Sequence, residues 1–150
     1  MGGWFPRARV GVGCALLAAL VGVAGCGVKR IPTSGTVTLD GQPMTVGVIQ
    51  FIPDASKGNK LRLGCSGAIS NGRWNLATSG MERADTGGGA PVGWFKVVWT
   101  NPHEGSKAPS MKEGGPKVAA KYQHEQTTPL SIELTDPPPA EGYKIELTSK

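Results

Sequence analysis

Apolar and polar residues alternate along seven short stretches of the chain, and a period of two is the mark of a half-buried β-strand. The first is Gly35–Asp40, where Val37 and Leu39 alternate with Thr36 and Thr38. The second, Val46–Ile52, is apolar on both faces apart from Gln50, which predicts a central strand. In the third, Leu61–Ile69, residues Leu61, Leu63, Cys65, Gly67 and Ile69 share one face. The fourth, Arg73–Ala77, turns Trp74 and Leu76 inward. In the fifth, Trp94–Thr100, residues Phe95, Val97 and Trp99 lie on one face and Trp94, Lys96 and Val98 on the other. Leu130–Leu134 and Tyr143–Thr148 complete the set.

Turn residues punctuate these stretches. Asp40-Gly41 ends the first strand, and Asn71-Gly72 joins the third and fourth as a hairpin, because a type I′ turn needs positive φ at both central residues. Pro53 closes the second strand, and Pro137-Pro138-Pro139 breaks the chain before the last. Thr78–Pro91, with Gly87-Gly88-Gly89, reads as loop, and so does the long polar stretch from Asn101 to Pro129. No segment of helical period lies outside the first 28 residues. The pattern predicts an all-β fold, a small seven-stranded β-sandwich.

Composition sharpens this. The 150 residues suit one domain. Gly 23 and Pro 12 supply many turns, while 39% apolar and only 18% charged residues set the chain apart from disordered sequences. The N-terminus is different in kind. Arg7 and Arg9 precede an uncharged apolar run, Val10–Val21, and small residues lead to Val23-Ala24-Gly25-Cys26. This is the layout of a secretory signal peptide. Its ending resembles the bacterial lipobox, with Val in place of the usual Leu. The resemblance implies recognition of Val23, Ala24 and Gly25 by the signal peptidase. It also implies cleavage before Cys26 and a diacylglyceryl thioether on the Cys26 thiol. The expected organisation is a signal peptide over 1–25, a lipidated tether over 26–33 and a β-domain over 34–150.

Two other readings compete at this terminus. Left uncleaved, Val10–Val28 approaches the roughly 20 residues that span a bilayer and would make a single-pass membrane subunit. Ordinary signal cleavage without lipid also suits the small residues. Myristoylation fails at Pro6, and a twin-arginine signal fails because Ala8 separates the arginines. The expected anchor is in the outer or the cytoplasmic membrane; Gly27 does not match the Asp retention signal that follows the cysteine in enteric bacteria, which favours the outer one where that sorting rule applies.

Loss of Arg7 and Arg9 lowers the net charge from +5 to +3, and no basic run exceeds Lys29-Arg30, so nucleic-acid binding is unsupported. Cys14 leaves with the signal and Cys26 is consumed by lipid. Cys65 is left alone on an apolar face, where it packs as a small hydrophobe.

Catalytic constellations are missing from the sequence. His103-Glu104 and His124-Glu125 lack the second histidine of a zincin, since Lys107 and Thr128 stand four residues on. No Gly-x-Ser-x-Gly elbow occurs, and the triple glycine lacks a Gly-Lys-Ser/Thr ending. A hydrolase or metal site built on the 101–128 loop from His103, His124 and a Glu is the alternative chemistry. It lacks a visible third ligand. No enzyme activity and no cofactor are expected. Binding is the remaining class. Trp94 and Lys96 share the outer face of their strand, and Tyr122 is one of three large apolar residues in the long loop. Trp94 either anchors an envelope protein or a glycan, or is covered by the 101–128 loop.

The order of motifs resembles carboxypeptidase regulatory-like domains. Ser34-Gly35-Thr36-Val37-Thr38-Leu39-Asp40-Gly41-Gln42-Pro43 is similar to their opening strand and Asp-Gly-x-Pro turn. Ser70-Asn71-Gly72-Arg73-Trp74 is similar to their Asp-Gly-x-Tyr/Phe hairpin, and Pro91-Val92-Gly93-Trp94-Phe95-Lys96-Val97 to their Pro-Gly-x-Tyr-x-Val strand entry. Ala120-Lys121-Tyr122 through Thr128-Pro129-Leu130 resembles short lipoproteins of planctomycete-type bacteria. The resemblance implies a non-catalytic prealbumin-like (transthyretin-like) β-sandwich. Hydroxyisourate hydrolases share that fold, but their C-terminal Tyr-Arg-Gly-Ser has no counterpart in Leu147-Thr148-Ser149-Lys150.

Overall fold

The computed structural model describes residues 1–2, 28–79, 87–102 and 115–150. Residues 3–25 of the expected signal peptide, with Val23, Ala24 and Gly25, and Cys26 lie outside them, as do His103, Glu104 and Met111. Among the described residues the fold is all-β, with 3-10 turns at Ala55–Lys57 and Ala120–Tyr122 as its helical elements. No described helix is long and apolar enough to cross a membrane.

The strands are β1 (Ser34–Leu39), β2 (Gln42–Pro43), β3 (Val46–Pro53), β4 (Gly64–Ser70), β5 (Arg73–Asn75), β6 (Ala77–Ser79), β7 (Gly87–Gly88), β8 (Gly93–Thr100), β9 (Ser131–Leu134) and β10 (Tyr143–Leu147). They hydrogen-bond into one curled sheet of order β10-β1-β5-β4-β3-β8-β9, with β2 beside β1 and with β6 joining β4 to β7. Every pairing is antiparallel except that of β1 with β10.

Both predicted turns form. Asp40 and Gly41 have φ of 49° and 81°, and Asn71 and Gly72 have 49° and 74°. β3 is central as expected, paired with β4 on one edge and β8 on the other.

Three differences from the pattern have physical causes. Leu61–Leu63 stay outside β4, because β4 meets β3 only from Cys65 onward and the preceding chain is held in a loop by Asn59. The expected single strand Arg73–Ala77 divides at Leu76. There the amide donates to the Thr33 carbonyl, while the carbonyl accepts from Gly89. The edge partner thus changes from β1 to β7 at this residue. The glycine run expected as loop contributes β7, since side chains at Gly87 and Gly89 would meet the Arg30 guanidinium and the Ile31 carbonyl.

One face of the curled sheet encloses the core. Val37, Ile49, Phe51, Cys65, Trp74, Phe95, Val97 and Ile145 are all at most 2% exposed. Phe51 lies between Trp74 and Phe95, with ring centroids 5.4 and 6.2 Å away. Such tilted pairs add about 0.5–1.5 kcal/mol each beyond their buried area. Val118 and Tyr122 close one end of the core, where the Ala119 amide donates to the Thr148 carbonyl.

The expected tether is docked on the domain. Ile31 is 4% exposed and exchanges two backbone hydrogen bonds with Ala90, at 2.9 and 3.0 Å. Thr33 is buried too, its hydroxyl donating to the Ile31 carbonyl. Packed structure therefore includes Ile31 and Thr33, ahead of the expected domain start at Ser34.

Gly35 is a tight point. A Cβ there would overlap the Tyr143 carbonyl and the Trp74 indole. Gly35→Ala is expected to cost at least the ~1–3 kcal/mol of an overpacked core, seen as a lower Tm and an earlier urea midpoint. An unchanged midpoint would contradict this packing.

Candidate functional site at Trp94

The outer face of β8 carries Trp94 and Lys96, and the loop after β3 is fastened to it. Asp54 starts that loop. Its carboxylate accepts from the Ser56 amide at 3.1 Å and the Ser56 hydroxyl at 2.5 Å, capping the 3-10 turn Ala55–Lys57. Gly58 ends the turn in a left-handed conformation, φ 88°, which glycine adopts without strain. Two donors converge on the Trp94 carbonyl: the Asp54 amide at 3.0 Å and the Asn59 side-chain amide at 2.8 Å. Asn59 also accepts from the Leu61 amide. The second Asp54 oxygen accepts from the Ser131 hydroxyl, tying the loop to β9.

This frame places the Lys57 ammonium 3.7 Å from the centroid of a Trp94 ring. A cation–π contact at an exposed site contributes about 0.5–1 kcal/mol. Trp94 is half-buried and forms one wall of a groove of about 590 Å³. Val28, Lys29, Lys57, Lys60, Leu61 and Val92 line the rest, together with Gly58, Asn59 and Gly93. Val92 is exposed at 48%.

The other residues singled out in the sequence are spent on structure. Lys96 donates to the Glu125 carbonyl at 3.2 Å, holding the returning loop against β8 beside the Thr128–Val97 hydrogen bond. Tyr122 is 5% exposed, within the core, with its hydroxyl 3.4 Å from that of Thr148. It does not share a surface with Trp94. Trp94 is flanked by the 54–61 loop, not by the described part of 101–128. The loop residues Asp54, Lys57 and Asn59 were not singled out as functional. Their signal was nonetheless present as an Asp cap, a three-residue turn and a closing glycine in Asp54–Gly58.

Of the metal candidates, His124 is exposed and its carbonyl accepts from the amides of Thr127 and Thr128 in a turn, while His103 lies outside the described residues. Among the described residues, no group of three His, Cys, Asp or Glu side chains could hold a metal ion. Cys65 is 2% exposed, 3.5 Å from the Thr78 hydroxyl, which itself donates to the Gly89 carbonyl. Burial pushes its thiol above the ordinary cysteine value.

Compared with known proteins, the chain matches no family model, and no curated protein or solved structure is significantly similar to it.

Two pH effects follow from these surroundings. The Ser56 hydroxyl, with the Ser56 amide and Ser131 adding to it, holds the Asp54 carboxyl below its usual range. A lowered carboxyl stabilises the fold above the ordinary carboxylate pKa and loses that contribution as pH falls through the folded value. Asp54→Asn is therefore expected to have a shallower loss of stability in acid, measured by urea midpoints below about pH 4. Cys65 has the opposite sign. Its raised value stabilises the fold fully below about pH 8.5, and the contribution declines as pH rises from there through the folded value. In wild type the decline is at most about 1.4 kcal/mol per pH unit, and Cys65→Ala is expected to lack it. A thiol reagent that modifies Cys65 in the folded protein at the free-thiol rate would contradict this burial.

Proposed function

We propose that the chain is a lipid-anchored protein of the bacterial cell envelope, whose β-domain stands outside the cytoplasm in a non-catalytic binding or structural role. The observation that carries this is the order of the first 26 residues: two arginines, an uncharged apolar run, then Val23-Ala24-Gly25-Cys26. Ala24 and Gly25 let the backbone enter a peptidase groove, and Cys26 brings the only nucleophilic side chain at the cut. Each methylene buried in the membrane contributes about 0.8 kcal/mol, so two acyl chains hold the protein stably.

The docked residues Ile31 and Thr33 support the same reading, because the domain is engaged by the chain five residues after Cys26. On this reading the domain is a carboxypeptidase regulatory-like, prealbumin-type β-sandwich. Support comes from the Asp40-Gly41 and Asn71-Gly72 turns at the positions of the motifs, and from strand entry at Gly93. Its partners are the membrane, through Cys26, and an envelope protein or glycan.

Intact mass of the membrane-extracted protein tests the anchor. The expected species begins at Cys26 and carries diacylglyceryl and acyl mass, all of it lost in Cys26→Ala. A full-length, unacylated wild-type mass would sink the reading.

A further inference from the structure

We infer that the groove beside Trp94 is a membrane-contact surface that takes anionic lipid headgroups; this rests on the proposed anchor at Cys26. The first observation is chemical. Lys29, Lys57 and Lys60 line the groove with Val28, Leu61, Val92 and Trp94, and among the described residues no carboxylate lines it. Lysine ammonium groups around an apolar floor with a half-buried tryptophan match the layers of a bilayer interface, where headgroup phosphates lie above acyl chains and tryptophan sits between them. Lys29 also reaches Asp136 at 2.6 Å, but this pair is solvent-exposed, with the lysine side chain 80% exposed, and an anionic surface competes for it.

The second observation is covalent. Val28 is a wall of the groove and stands two residues after Cys26. An extended chain covers about 3.3–3.6 Å per residue, so the acylated residue is held within roughly 7 Å of the groove. That is inside the Debye length of about 8 Å at physiological salt, so the lysines and the headgroups feel one another. The docking of Ile31 on Ala90 keeps the domain from swinging away on a loose leash.

The third observation separates lipid from glycan. Lys57 occupies a face of the Trp94 ring, the surface on which a sugar would stack. The same contact keeps an ammonium at the rim, where a phosphate meets it. Each lysine near an anionic surface is worth about a five-fold change in partitioning.

The test uses the mature protein reconstituted into vesicles of brominated phosphatidylcholine, with or without one-third phosphatidylglycerol. Bromine quenches only tryptophan that reaches the acyl region, and Trp94→Phe isolates the Trp94 signal from those of buried Trp74 and Trp99. The expected result is Trp94 quenching in the anionic vesicles that weakens at high salt and in neutral vesicles. In the Lys57→Glu/Lys60→Glu variant, whose exposed side chains spare the core, the difference between the vesicles is expected to vanish. Acylated protein with no Trp94 quenching, or with quenching indifferent to lipid charge and salt, would overturn the surface. Glycan-dependent protection of Trp94 in place of lipid quenching would overturn it as well. Acyl mass on Cys26 is read on the same sample. Acylation without Trp94 quenching retires the surface and keeps the anchor, whereas salt-sensitive Trp94 quenching of an unacylated chain retires the anchor and keeps the surface.

Discussion

Strand β1 can lie between β10 and β5 only because Gly35 has no side chain. At that residue three strands meet, with Tyr143 on one side and Trp74 on the other. The Trp74 indole fills the space a Cβ would take, and Phe51 packs on the indole. The parallel β1–β10 ladder brings Ile145 and Leu147 over the core beside Val37, so the last strand seals what the first begins. The ends of the sheet path converge as well. The Tyr143 hydroxyl, from β10, accepts from the Thr135 amide, one residue past β9. Curling of the sheet is thus tied to one glycine and one tyrosine.

This packing leaves polar atoms uncompensated. The indole nitrogens of Trp74 and Trp99 are buried with no hydrogen-bond partner among the described residues. Leaving a buried donor unpaired costs about 1–3 kcal/mol. Full burial of two large rings offsets that in part. Trp99 also accounts for Gly47, where a Cβ would run into the indole nitrogen. Two glycines and two tryptophans therefore form complementary pairs across the sheet, Gly35 with Trp74 and Gly47 with Trp99.

Much of this was legible. Alternation located the six described strands of four or more residues, because a strand with one buried face must place its apolar residues two apart, and it ran the three-residue strands β5 and β6 together as one. It assigned Cys65 and Trp74 to the core side correctly. Pairing was not legible, because alternation says which face a residue takes and nothing about which edge meets which. The parallel contact of β1 with β10 has no local signature. Nor has the use of a glycine run as an edge strand, which depends on Arg30 and Ile31 crowding it from far away in sequence. Tyr122 illustrates the same gap: a lone aromatic in a polar loop reads as a surface anchor until the Thr148 strand end is found beside it. For the Trp94 groove, one wall was readable from the face of β8. The opposite wall came from the Asp54 and Asn59 hydrogen bonds to the Trp94 carbonyl.

The anchor proposed at Cys26 would constrain orientation as well as location, because the path from Cys26 to the docked segment is short. Val28 and Trp94 share a groove, so the start of β8 and the 54–61 loop belong to the end of the domain nearest Val28. β8 has eight residues and runs about 23 Å from Gly93 to Thr100. Residues 101 and 102 leave from its far end. On the proposed anchor, a partner approaching from the aqueous side would meet the Thr100 end of β8 before it met the Trp94 groove. On that same anchor, the lysines and apolar side chains around Trp94 lie at the lipid end of β8, and Asn101 and Pro102 leave from the other.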